Sequence, residues 1–191
     1  MDGVPMDGRA PAGFARELSR LIAAVAQKDQ AALEELYRQC RRGVFLAAYA
    51  VTRDVQLSED VLQETMLYVW NHAGEFRFGS RAKAWIFTIA RHFAVDRIRK
   101  NSGTISMEDL DDLVLPRSMV TSITSEAEIA LWMGIDHLGA EEAQVFILKA
   151  MVGLRHAETA RLLRIPYQRV HYRYRKTIEQ LRAYMADRED M

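Results

Sequence analysis

Residues 155–182, RHAETARLLRIPYQRVHYRYRKTIEQLR, concentrate side chains suited to gripping a polyanion. Arg155, Arg161, Arg164, Arg169, Arg173, Arg175, Lys176 and Arg182 stand against Glu158 and Glu179 alone, a local excess of six positive charges on a chain of zero formal net charge. Arg and Gln can bond base edges in pairs, whereas Arg and Lys at the flanks hold phosphates. Tyr167, Gln168, Arg169, His171, Tyr172, Arg173, Arg175 and Lys176 are the candidates. Their division between bases, phosphates and solvent stays open. The pattern predicts two short helices joined by a tight turn. Pro166 suits the first turn of the second, Ala160 allows close approach, and Val170 and Ile178 mark the inward face. A helix-turn-helix with a basic second helix points to the major groove of DNA. The competing reading is a basic, solvated helix at the end of a bundle. Two positions are unfavourable. Arg164 occupies the turn, where a left-handed backbone costs a side-chain-bearing residue roughly 1 kcal/mol. Arg155 stands at the N-cap, where Ser or Thr would serve better.

Two further constellations precede this one. In the stretch that begins SEDVLQETMLYVW (58–70), Asp60, Gln63, Glu64 and Asn71 share one outer face. In residues 77–100, Arg77, Arg81, Lys83, Arg91, Arg97, Arg99 and Lys100 face only Asp96. Residues 101–128 reverse the sign, with Glu108, Asp109, Asp111, Asp112, Glu126 and Glu128 against Arg117. Two basic blocks thus flank an acidic one. An acidic helix beside a basic one suits a protein partner on one side and nucleic acid on the other.

The elements that position these residues are helices. The hydrophobic fraction of 49% and charged fraction of 27% are those of an ordinary globular protein. The first helical pattern covers 14–27, with Phe14, Leu18, Leu21, Ile22 and Val25 on one face. Asp29 caps a second helix that runs to about Val51, with Leu33, Leu36, Tyr37, Cys40 and Val44 inward. Ser58 is the expected cap of a third helix, to about His72, and Ser80 of a fourth, to Asn101. Residues 102–124 lose the periodicity and form the expected linker, and helices resume at 125–138, 140–152, 155–163 and 166–185. The expected fold is therefore all-α, two small helical domains (14–101 and 125–186) joined by a flexible acidic linker, the second a helix-turn-helix. Residues 1–13 read as a disordered lead-in without a signal-peptide pattern, and 187–191 as a tail. The single Cys40 reads as a packing residue rather than a nucleophile. The five histidines have no metal-ligand spacing, so no metal or cofactor is expected. No apolar run approaches the roughly 20 residues of a membrane span. Trp70 and Trp85 read as core, while Phe76 and Phe78 either contact a base or fold back onto the core.

SEDVLQETMLYVW, EFRFGSRAKAWIFTIARHFAVDRIRK and HLGAEEAQVFILKAMVGLRHAETARLLRIPYQRVHYRYRKTIEQLR together resemble bacterial RNA polymerase sigma factors of the extracytoplasmic function (ECF) class, in the sigma-70 family. The resemblance covers roughly residues 30–100 and 126–185. It implies that Asp60, Gln63 and Glu64 dock on the clamp helices of the largest polymerase subunit. It implies that the Phe76–Arg81 loop, with Phe76, Arg77, Phe78 and Arg81, captures a flipped base of the minus-ten promoter element. By the same resemblance Arg91, His92, Asp96, Arg97 and Arg99 read and hold that element, and residues 167–176 read the minus-thirty-five element. The acidic linker matches the family's connector through the polymerase. The chain departs from the family pattern at His92, where Asn is common, and at Tyr167-Gln168-Arg169.

The function implied is a non-enzymatic promoter-specificity subunit. Its partners would be core polymerase, including the subunit that contacts the C-terminal domain, promoter DNA and an inhibitory anti-sigma factor, in a stress or envelope-signal response. It would lie in the cytoplasm without membrane insertion, at the nucleoid when polymerase-bound, or held at the inner membrane by the anti-sigma factor. The alternative is a stand-alone helix-turn-helix regulator, which needs no docking face at Asp60, Gln63 and Glu64. No carboxylate pair, Cys/His arrangement or Gly-rich loop converges on an active site.

Overall fold

The computed structural model describes the backbone of residues 12–77, 81–101 and 126–189, and the side chains of 15–77, 81–100 and 130–187. All regular structure among them is helical. The N-terminal half holds α1 (Ala12–Ala26), α2 (Gln30–Thr52), α3 (Val55–His72) and α4 (Ala82–Asn101), with one 3-10 turn at Ala73–Glu75. The C-terminal half holds α5 (Glu126–Asp136), α6 (Ala140–Phe146), a π-helical turn (Ile147–Met151), α7 (His156–Leu163) and α8 (Tyr167–Glu189). The expected linker at 102–124, the cap at Ser80 and the loop residue Phe78 lie outside the described residues. Helix α1 starts two residues before its expected first residue, and α8 runs into the expected tail because neither Gly nor Pro interrupts it after Leu181.

Asp29 caps α2 as its side chain suggests, accepting the Ala32 N–H at 3.1 Å. The start of α3 corrects the expectation. Arg53 ends α2 in the left-handed region (φ 53°), which throws Asp54 into an extended conformation. Asp54 then accepts the Leu57 N–H at 2.7 Å and caps α3. Ser58 is fully buried inside the helix, donating to the Asp54 carbonyl at 2.5 Å and sharing a hydrogen bond with Thr52 Oγ1 at 2.8 Å.

Leu18, Ile22 and Val25 of α1, Leu36 and Val44 of α2, Val61 and Val69 of α3, and Ile86, Ala90 and Ala94 of α4 build the first core. Each fully buried Leu or Ile contributes roughly 1.5–3 kcal/mol. Gly43 lets α4 approach α2, since a Cβ there would lie 3.0 Å from Phe87 Cζ. Gly134 does the same for α5 on α8, where a Cβ would meet Leu181 Cδ2 at 2.9 Å.

Helix α2 is buried at every residue from Val44 to Ala50. Burial around the whole circumference requires packing on both sides. Helices α1, α3 and α4 cover one side, and α6 with its π-turn covers the other. Trp132 of α5, itself buried, meets Tyr49 edge-on at 6.1 Å, and Arg53 lies 3.7 Å from Asp136. A second contact joins α4 to α7, and Arg81, the residue before α4, lies 3.3 Å from Glu158. The two halves are thus packed together in this structure.

Candidate nucleic-acid interface

Helix α3 presents Gln63, Leu67 and Asn71 to solvent, with Asp60 and Glu64 half-buried beside them. Helical spacing puts these five on one face. Arg97 reaches across from α4. Its Nη2 donates to Glu64 Oε1 at 2.5 Å, its Nε to Glu64 Oε2 at 3.3 Å, and its Nη1 lies 3.8 Å from Asp60 Oδ2. This forked, charge-assisted geometry fixes the carboxylate and raises the Arg97 pKa, chiefly through the bond to Glu64. The resemblance groups Arg97 with the minus-ten contacts; the structure turns its guanidinium onto α3 instead. Leu67, 63% exposed, is absent from the residues read out of the sequence. Its signal was available, as an apolar residue four after Gln63 on a polar face.

On α4, Thr88, His92, Val95 and Arg99 form an outward stripe. Asp96 lies 3.6 Å from Arg99 and 3.8 Å from His92, so it sits among the cations rather than apart from them. Arg91 is half-buried and points toward α7. Phe76 is half-buried against Trp85, ring centroids 5.3 Å apart, and Arg77 is exposed. In this structure the Phe76 ring lies back against Trp85. Trp70 packs as core and is fastened by Lys28, whose Nζ lies 4.8 Å from the ring centre and donates to the Trp70 carbonyl at 2.8 Å.

The C-terminal pair is a helix-turn-helix. Arg164 takes φ 56°, ψ 40° in the turn, and the Ile165 N–H reaches the Ala160 carbonyl at 3.1 Å, closing a Schellman motif. Arg155 is rescued as a cap by Glu158, whose carboxylate accepts the Arg155 N–H at 2.8 Å. Val170, Thr177 and Leu181 face inward from α8. Tyr167, Gln168, Arg169, His171, Tyr172, Arg175 and Lys176 are all exposed, with Arg175 3.4 Å from Glu179 along the helix. Arg173 differs from them. It is clamped against α6 by Glu141 and by Glu142, the latter at 2.8 Å. The structure therefore gives Arg173 a bracing place rather than a free, groove-facing one.

His156 joins this unit together, its ring centroid 5.5 Å from that of His171, 5.7 Å from Tyr174 and 5.9 Å from Tyr167. Its pKa falls below the ordinary value, first through burial and then through Lys149 and His171. Cys40 is 4% exposed and its thiol is pushed up to about 12 by burial, with Lys83 acting in the opposite direction. A thiol so protonated is a poor nucleophile. Among the described residues no group of three His, Cys, Asp or Glu could hold a metal ion, and no helix is long and apolar enough to cross a membrane.

Comparison with known proteins gives a consistent picture. The family model for sigma-70 region 2 matches residues 36–104. The chain is 28% identical over 182 residues to the ECF RNA polymerase sigma factor SigK of Mycobacterium tuberculosis (strain ATCC 25618 / H37Rv), covering 90% of this chain and 95% of that protein. It is 28% identical over 166 residues to the ECF RNA polymerase sigma factor SigM of the same strain, covering 83% and 82%. In fold it is similar to CnrH, solved in complex with the cytosolic domain of CnrY (TM-score 0.62, 21% identity, 90% and 98% covered). It is also similar to the sigma factor RpoE of Bartonella quintana, solved with the anti-sigma factor NepR (TM-score 0.61, 19% identity, 91% and 97% covered).

Proposed function

We infer that this chain, a member of the sigma-70 family in its extracytoplasmic function class, directs promoter-specific transcription by core RNA polymerase and is held inactive by an anti-sigma factor. We assign α1–α4 to polymerase docking and the minus-ten element, α5–α8 to the minus-thirty-five element, and residues 102–124 to their connection. The observation that carries this reading is the outward edge of α3. Gln63 and Leu67 stand free on it, while Arg97 from the basic helix holds Glu64 in place. A stand-alone regulator has no use for such a face.

The work is binding and distortion rather than bond-making. Docking of Asp60, Gln63, Glu64 and Leu67 on the clamp helices of the largest polymerase subunit would fix the orientation of α4. Its His92 and Arg99, with Arg77 and Arg81 beside it, then lie where phosphates and bases of the minus-ten element would pass. Extruding a base costs a few kcal/mol, to be offset by phosphate contacts and stacking. The exposed face of α8 would enter the major groove upstream with Gln168, Arg169, Tyr172 and Lys176, on the usual helix-turn-helix geometry. The subunit that meets the C-terminal half would dock away from that face. Location in the cytoplasm, and at the nucleoid with polymerase, follows from this reading.

Run-off transcription with core polymerase tests it. Glu64 also braces Arg97, so the cleaner variant is Gln63→Ala with Leu67→Ala, which leaves that pair intact. We expect transcription to depend on added protein and to fall at least tenfold in the double variant, as loss of about 1.4 kcal/mol or more of docking energy requires. Undiminished promoter-specific transcripts would remove the docking assignment.

A further inference from the structure

Between α4 and α7 lies a cleft of about 610 Å³. Arg81, Arg91 and His92 line it from the N-terminal half, Arg161 and Arg164 from the C-terminal half, and Trp85 contributes a ring. Its single lining carboxylate, Glu158, already serves Arg81 at 3.3 Å and the Arg155 N–H at 2.8 Å. Among the described residues no carboxylate pairs with Arg91, Arg161 or Arg164, and the Arg91 Nε is buried without a hydrogen-bond partner. The Arg91 pKa is lowered, first by burial and then by the facing charge of Arg164. Guanidinium groups thus converge from two helices on a cleft whose one lining carboxylate is already engaged by Arg81 and the Arg155 N–H.

Such an arrangement is complete only with an anion. Guanidinium forks match phosphate oxygens two at a time. The volume lies within the usual range for small-molecule sites, roughly 300–1,000 Å³, and is ample for several phosphate groups. We propose that the α4–α7 cleft binds a small phosphoanion carrying two or more phosphate groups, held between Arg91 on one side and Arg161 and Arg164 on the other. Because its ligands come from both halves, the bound anion fastens the halves together. Arg81, Arg91 and His92, the side of the cleft that would otherwise meet minus-ten phosphates, are then occupied. The inference concerns a small ligand and needs neither polymerase nor promoter, so it stands or falls apart from the proposed function.

Calorimetric titration of the full chain with tripolyphosphate, and separately with adenosine triphosphate, tests it. We expect saturable binding at one equivalent, weakened about tenfold or more by Arg161→Ala and by Arg164→Gly, the loss of a charge-assisted hydrogen bond. Arg164 is left-handed, so glycine there relieves the backbone, and lost binding does not report lost folding. Arg41→Ala, an exposed cation outside the cleft, leaves the affinity unchanged. Equal affinity for the two ligands identifies the phosphates as the whole determinant, and tighter nucleotide binding that Trp85→Leu abolishes identifies a nucleotide; both support the site. Absence of saturable binding, or equal loss in Arg41→Ala and Arg164→Gly, overturns it.

Discussion

Fastening the two halves to each other should abolish promoter use. The minus-ten and minus-thirty-five elements lie roughly 25 base pairs apart, about 85 Å of duplex at about 3.4 Å per pair. A compact chain of 191 residues has a radius of gyration of about 16 Å and is about 40 Å across. The shortfall of about 45 Å is far beyond side-chain adjustment, so on the proposed assignment of the halves to the two elements α5–α8 would have to leave α2. The 24 residues between Asn101 and Glu126 reach at most about 80 Å when extended, enough for the separation. Leaving α2 costs about 1.5–3 kcal/mol for each large apolar side chain returned to water, Trp132 and Tyr49 among them. On that assignment polymerase and DNA contacts would offset the cost. The perturbation is Arg53→Cys with Asp136→Cys, whose side chains meet across the boundary, joined by a thiol-cleavable bismaleimide. Cys40 is buried and protonated, and does not compete for the reagent. In run-off transcription the linked protein should lose at least tenfold activity and regain it when reductant cuts the bridge. Full promoter-specific activity in the linked state would refute the reasoning, because the closed form would then reach both elements.

A denaturant double-mutant cycle with Arg97→Met and Glu64→Gln should give a coupling of about 1 kcal/mol. Both side chains are about one-third exposed, so screening limits the pair, but its forked geometry puts it at the upper end for surface ion pairs. Coupling near zero would mean that α3 is not braced by Arg97. His156 supplies a pH dependence. Its folded pKa lies below 6.5, so near pH 6.5 the unfolded chain binds a proton that the folded chain resists. The stabilisation is therefore complete above about pH 6.5 and is lost as pH falls from there toward the folded value. Thermal melts between pH 7.5 and 5 should show this decline, and His156→Gln should flatten it; parallel declines in both proteins would assign it elsewhere.

Helix extents were legible because apolar residues recur at helical spacing, and the Asp29 cap because its side chain precedes such a run. The α3 cap was misread because Asp54 and Ser58 are both good caps, and only the left-handed Arg53 decides between them. The cationic surface was legible as composition, but not the direction of each cation. Arg97 and Arg173 find their carboxylates 33 and 31 residues away, on other helices, so no local pattern marks them as braces. The packing of the halves was likewise hidden, although the uninterrupted run VFLAAYA at 44–50 is apolar on every side and so asks for cover all round.

That run has a consequence for solubility. A helix wrapped by both halves becomes, once they part, a length of wetted apolar surface ending in Tyr49, with Trp132 newly bare opposite it. Contiguous apolar area of this kind drives self-association in an isolated chain. An open form would thus be a poor solute on its own, and its lifetime in solution would be set by how soon another macromolecule covers what α5 and α6 have released.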